Sequence, residues 1–144
     1  NLTDHEIDIS DWTIYVDTNL RHTFPEGTIL RSGCGMVVFG GGTPTGDFGG
    51  CLVQVASTGS LGLLNAGATI KLLDGSEIIA AYDYTYDIAD NDQSLTRDPD
   101  YTGVFTRHSL VPAANGALFS PGTKVDGSPF PGCLKVVFLP LVKK

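Results

Sequence analysis

The fold class follows from the segment Ile7-Asp8-Ile9-Ser10-Asp11-Trp12-Thr13-Ile14-Tyr15-Val16 and from the segment Phe24-Pro25-Glu26-Gly27-Thr28-Ile29-Leu30 shortly after it. In the first segment every second residue from Trp12 to Val16 is apolar, the period of a β-strand with one buried face. Pro25 presets φ for a turn, and Gly27 can adopt the positive φ that other residues avoid. We therefore predict a strand that carries the only tryptophan, then a turn and a second strand.

Short apolar runs separated by glycine and proline continue along the whole chain. Apolar residues nowhere recur at helical spacing over more than two turns, and regularly spaced short strands are typical of an all-β sandwich or barrel. We expect one domain over residues 1–144. The predicted strands are 12–16, 35–39, 51–56, 69–73, 77–82, 103–108 and 134–142, with a hairpin turn at Asp74-Gly75, a strand fragment and turn at 61–67, and surface connections at 88–101 and 112–131.

Composition limits the classes of partner. Hydrophobic residues make up 42% of the chain and charged residues 17%, as in a folded globular protein. The net charge is −7, and the arginines are scattered, so nucleic acid and anionic membranes are not expected partners. No apolar run approaches the roughly 18 residues of a membrane-spanning helix.

Three cysteines, Cys34, Cys51 and Cys133, lack the Cys-x-x-Cys spacing of many zinc sites. Cys34 and Cys51 bracket the glycine-rich segment 40–50. A Cys34–Cys51 disulfide would tie the ends of this segment and contribute about 3 kcal/mol in the chain-entropy model. The alternative is three reduced, buried cysteines that pack as small apolar side chains.

Five segments, taken in order, resemble the lamin tail domain. They are Asp8-Ile9-Ser10-Asp11-Trp12-Thr13-Ile14, Phe24-Pro25-Glu26-Gly27-Thr28, Ser32-Gly33-Cys34-Gly35-Met36-Val37-Val38-Phe39, Leu64-Asn65-Ala66-Gly67-Ala68-Thr69-Ile70-Lys71-Leu72-Leu73-Asp74-Gly75, and the pair 93–100 with 119–123, which is common in prokaryotic, often secreted members. The resemblance implies an immunoglobulin-like β-sandwich of antiparallel strands.

The motif residues have structural interpretations. We expect Trp12 to anchor the core between two sheets. Pro25 and Gly27 are expected to form one turn, and Asn65 and Gly67 another. Members of the family usually carry a strand ahead of the Trp12 element, and here the chain begins at Asn1. We hypothesise that the run 134–142 fills that place, from the same chain or from a neighbour in a homodimer formed through an edge strand.

Catalysis has little support in the sequence. Adjacent strand residues point to opposite faces, so His108 is not expected to act as the general base for Ser109. The sequence also contains no Gly-x-Ser-x-Gly nucleophile elbow. The chain is therefore not expected to be an enzyme. Asp87, Asp90 and Asp92 are candidate calcium ligands because they offer several oxygens, although a solvated acidic loop is the alternative.

Tyr82, Tyr84 and Tyr86 alternate along one predicted strand. Their neighbours on the other face are polar, so the tyrosine face is expected to be the inner one, with an exposed carbohydrate platform as the alternative. The resemblance implies a non-catalytic structural or protein-interaction module of a larger prokaryotic surface or secreted protein, extracellular or on the cell surface, with no cofactor. The second hypothesis is a binding domain for carbohydrate or calcium that uses the loops at 87–100.

Overall fold

The fold is all-β. The structure, a computed structural model, describes residues 1–86, 88 and 92–134. In these residues it contains ten strands, four short 3₁₀ turns and no α-helix. The strands are β1 (Ile7–Asp8), β2 (Thr13–Val16), β3 (Asn19–Thr23), β4 (Ile29–Leu30), β5 (Met36–Phe39), β6 (Leu52–Val55), β7 (Gly67–Asp74), β8 (Glu77–Thr85), β9 (Leu95–Asp98) and β10 (Val104–Arg107).

The largest sheet is antiparallel, with the strand order β3-β2-β7-β8. The alternating segment at 12–16 forms β2 as predicted, and Val16 is only 1% exposed. Trp12 lies just before β2 and is partly buried, so it is not one of the fully buried core residues. Because β2 pairs with β3 on one side and β7 on the other, it has no open edge. A further strand therefore has no place beside β2 itself. The hypothesis that the run 134–142 fills the place of the strand ahead of the Trp12 element stays a prediction, because the run beyond Leu134 lies outside the described residues.

The predicted hairpin at Asp74-Gly75 is confirmed as the β7–β8 hairpin, where Asp74 pairs with Glu77 and Gly75 has φ 56°. Asn65 lies in the turn that leads into β7, as predicted. Gly67, the first residue of β7, has φ 111°, and a Cβ there would lie 2.6 Å from the carbonyl oxygen of Tyr84. Only glycine fits this close approach of two backbones.

The turn before β4 also forms as expected. Gly27 has φ 78°, and the Thr28 amide donates a hydrogen bond to the carbonyl of Pro25 (3.2 Å). The Gly27 amide in turn donates to the hydroxyl of Ser10 (2.9 Å). The turn is therefore held against the chain that leads into β2.

The described residues also form three two-stranded pairs, β1–β4, β9–β10 and β5–β6. The first two are antiparallel, but β5 and β6 are parallel. A parallel pair needs a crossover of about a dozen residues or more, and the glycine-rich segment 40–51 supplies it. The strands predicted at 35–39, 51–56 and 103–108 are confirmed. The segment predicted as a connection at 88–101 contains β9, whereas 112–131 forms no strand beyond an isolated Thr123–Pro129 bridge.

The disulfide joins Cys34 to Cys133, so the predicted Cys34–Cys51 pairing is wrong. Cys51 carries a buried free thiol. The cause is a close approach that sequence spacing does not reveal, in which the amide of Gly132 donates a hydrogen bond to the carbonyl of Gly33 (3.1 Å). This contact places Cys133 beside Cys34.

The buried residues that the structure describes include two small hydrophobic clusters. The three cysteines form one, with Val37 and Phe130 packed against them. Val111, Ala114 and Val125 form another. No helix in the described part of the chain is long and apolar enough to cross a membrane.

We predict that Gly67→Ala lowers the free energy of unfolding by about 3 kcal/mol, because the new methyl group meets the backbone of β8 at an unfavourable φ. Gly75→Ala is the matched control, since it also has positive φ but no atom within 4 Å of the added Cβ. Its cost should be about 1 kcal/mol. Urea denaturation measures both, and equal losses would contradict the role of the close approach.

Candidate functional site

An apolar groove of about 530 Å³ lies beside β8. Its floor is one face of the β7–β8 hairpin, where Ile70 pairs with Tyr82 and Leu72 with Ala80. These residues share a face because side chains alternate along each strand and cross-strand partners lie on the same side. The groove is thus built on the most extensively paired strands of the fold.

The β9–β10 hairpin forms one wall of the groove through Leu95, Arg97 and Phe105. The ring of Phe105 packs on Tyr82 of the floor, with the ring centroids 3.9 Å apart. The guanidinium carbon of Arg97 lies 4.2 Å from the Phe105 centroid, and Arg97 also donates a hydrogen bond to the carbonyl of Gly103 (2.7 Å). Burial raises the pKa of the Tyr82 hydroxyl, and the nearby Arg97 charge partly offsets this. Arg97 thus brings a positive charge to a groove that is otherwise mostly apolar.

The opposite wall contains Leu63 and Leu64, which are 50% and 59% exposed. Tyr84 fixes this wall, because its hydroxyl donates to the carbonyl of Leu64 (2.8 Å) and accepts from the Leu64 amide (3.0 Å). The prediction of an inward tyrosine face is confirmed for Tyr84, which is 9% exposed, and for the partly buried Tyr82. It is wrong for Tyr86, which is 73% exposed beyond the end of β8.

The outer edge of β8 lies next to the groove. Within the described residues β8 pairs only with β7, so it is an edge strand of the sheet. Residues 77–81 are all exposed, and they include Ile78 and Ile79 at 55% and 43%. An exposed apolar edge is a template for another strand unless charges or proline protect it. The acidic side chains around it are those of Asp74, Glu77 and Asp83, all exposed.

Of the three predicted calcium ligands, the structure describes only Asp92. Asp92 is exposed in a turn with φ 57°, while Asp87 and Asp90 lie outside the described residues. In the part of the chain that is described, one group of at least three close metal-ligating side chains occurs, and it is the three cysteines. The calcium hypothesis therefore stays a prediction.

His108 does not contact Ser109, whose hydroxyl instead donates to Gln93 (2.7 Å). The imidazole is 1% exposed and contacts the carbonyl of Ala117 through Nδ1 (2.8 Å) and the hydroxyl of Ser120 through Nε2 (2.9 Å). Because a carbonyl can only accept, we assign the proton to Nδ1, which donates to Ala117. The hydroxyl of Ser120 then donates to Nε2. Sequence reasoning missed this serine–histidine contact. A backbone carbonyl stands where a catalytic triad would place a carboxylate, and the buried imidazole links two loops.

No protein-family model matches this chain, and no curated protein or solved structure matches it either.

We predict that Tyr84→Phe lowers the free energy of unfolding by about 1–2 kcal/mol, because it removes two hydrogen bonds of a buried hydroxyl. Tyr86→Phe, which changes an exposed ring, should leave stability unchanged. Chemical denaturation of both variants provides the comparison. A Tyr84→Phe variant as stable as the parent would show that the hydroxyl does not hold the Leu64 wall.

Proposed function

We propose that this chain is a non-catalytic protein-interaction module that binds an extended apolar segment of a partner along β8. One observation carries the proposal: an exposed edge strand with apolar side chains borders an apolar groove. An added strand would satisfy the outward backbone groups of β8 and place alternate side chains toward the groove. Backbone hydrogen bonds would provide affinity, and the groove would select the side chain.

The groove suits a large apolar side chain. Its volume of about 530 Å³ and the lining side chains of Ile70, Leu72 and Phe105 favour a leucine, phenylalanine or tryptophan. Burial of such a side chain contributes about 1.5–3 kcal/mol. One or two anchors set against the cost of association correspond to a weak, reversible complex.

Charge narrows the class of partner. Glu77 and Asp83 lie on β8 and Asp74 lies at the end of β7 beside it, and the chain as a whole has a net charge of −7. A binding segment with lysine or arginine on either side of its apolar part would be attracted, whereas an acidic segment would be repelled. The preferred partner is therefore an apolar strand with basic flanks.

The resemblance to lamin tail domains agrees with a module that positions a partner within a larger prokaryotic surface or secreted protein. The Cys34–Cys133 disulfide supports an extracellular or cell-surface location, since disulfides persist in oxidising compartments. A carbohydrate site has less support, because the ring of Tyr82 packs on Phe105 rather than standing open for stacking.

We predict that Ile79→Lys and Ala80→Trp each weaken binding of a basic-flanked apolar peptide at least tenfold. The first places a positive charge on the edge, which repels the lysines of the peptide. The second fills the groove with an indole ring. The probe is a labelled synthetic peptide of alternating valine and threonine with one tryptophan and with lysines at both ends, and fluorescence anisotropy measures its binding.

Val104→Lys and Val104→Trp are the matched controls, because Val104 is 77% exposed and does not line the groove. Both should bind like the parent protein, and the parent protein should bind a glutamate-flanked peptide more weakly than the lysine-flanked probe. Failure of the parent protein to bind the probe, or equal losses in the Val104 variants, would overturn the proposal.

A further inference from the structure

The three cysteine sulfurs converge in the fold, although the residues are distant in sequence. All three Sγ atoms lie within 4.8 Å of one another. Cys133 is fully buried, and Cys34 and Cys51 are 3% and 9% exposed. The chain contains no other cysteine, so the thiol of Cys51 can meet no disulfide in this molecule except the one between Cys34 and Cys133.

The thiol of Cys51 is in contact with that disulfide. Its Sγ lies 2.9 Å from the Sγ of Cys133 and also 3.2 Å from the carbonyl of Gly122. Gly50 makes the contact possible, because it has φ 76° and a Cβ there would lie 2.6 Å from the carbonyl oxygen of Cys133. Thiol–disulfide exchange proceeds by attack of a thiolate on a disulfide sulfur. The nucleophile and the sulfur that it would attack are therefore already side by side.

We propose that Cys34, Cys51 and Cys133 form an internal thiol–disulfide exchange centre. Cys51 loses its proton, and its thiolate attacks Sγ of Cys133. The Cys51–Cys133 bond forms as the Cys34–Cys133 bond breaks. Cys34 leaves with the electron pair and takes up a proton. One disulfide and one thiol are present before and after, so no oxidant or reductant is consumed.

Chain entropy does not strongly favour either disulfide isomer, Cys34–Cys133 or Cys51–Cys133. Cys34 and Cys133 are separated by 99 residues, and Cys51 and Cys133 by 82. The entropy of loop closure depends on the logarithm of loop length, so these two loops are nearly equivalent. The equilibrium between the two disulfide isomers is then set by how well the thiol of Cys34 or of Cys51 packs when it is free. Both of these residues are buried and lie close to Cys133.

Burial of the Cys51 thiol keeps the rate of thiol–disulfide exchange low at neutral pH. Desolvation raises the pKa of the Cys51 thiol, while the Gly35 backbone, Arg31 and the α-ammonium group of Asn1 act in the opposite direction. Arg31 and Asn1 also donate hydrogen bonds to the carbonyls of Cys133 (3.4 Å) and Cys34 (2.8 Å). Because the thiolate is the nucleophile, exchange should accelerate as the pH rises.

Thiol mapping tests the proposal. The protein is purified without reductant, incubated at neutral or alkaline pH, quenched with acid, and denatured in excess N-ethylmaleimide. Mass spectrometry of the digest then locates the single label. We expect label on Cys51 and on Cys34, with the two populations within about tenfold of each other, reached faster at alkaline pH. Label on Cys51 alone under all conditions, or three labelled cysteines, would overturn the proposal.

Two variants sharpen the test. Cys34→Ser should form the Cys51–Cys133 disulfide and take up no label, whereas two labels would contradict the exchange. Cys51→Ser should retain the Cys34–Cys133 disulfide and also take up none, so it controls for incomplete oxidation. The labelling ratio of the parent protein decides the question even if a variant fails to fold.

Discussion

Close backbone approach around Cys133 is the constraint on which much of this fold depends. Glycines line the contact between the segments near residues 33, 49 and 132, and a Cβ on Gly132 would collide with the carbonyl of Ser32. A Cβ on Gly49 would likewise meet the carbonyl of Gly122. The absence of side chains lets the backbones meet, and the disulfide then fixes the contact covalently. The cross-link also restricts the unfolded chain, which stabilises the folded domain.

The groove and the edge of β8 result from the same arrangement of strands. The β9–β10 hairpin reaches the large sheet through the Tyr82–Phe105 contact and leaves apolar side chains of β7 and β8 accessible beside it. Natural proteins usually protect such edges with charge or proline. Here acidic residues stand at the turn and along the strand, while Ile78 and Ile79 stay exposed. This combination discourages indiscriminate pairing but permits a partner of opposite charge.

Local patterns predicted local structure well, and distant contacts poorly. Alternation at 12–16 and the Asp-Gly turn are signals contained within a few residues, so β2 and the β7–β8 hairpin could be read directly. The polar sequence of β9 gives no such signal, because Leu95–Asp98 is recognisable only once β10 lies beside it. The disulfide partner, the groove and the contact between His108 and Ser120 each depend on segments that only the folded chain brings together. The resemblance to lamin tail domains predicted all-β structure but not the parallel β5–β6 pair.

The position of the disulfide has a mechanical consequence for any force applied to the two ends of the chain. Tension applied to the two ends of the chain would pass along the covalent path from Cys34 directly to Cys133, so the chain that carries β5 to β10 would not be extended. Only the segments outside this covalent loop could be extended. With Cys51 in place of Cys34, the chain between these two residues would enter the load path and add roughly 60 Å of extensible length, at about 3.4 Å per residue. The choice of cysteine partner would thus set how far the module can be stretched.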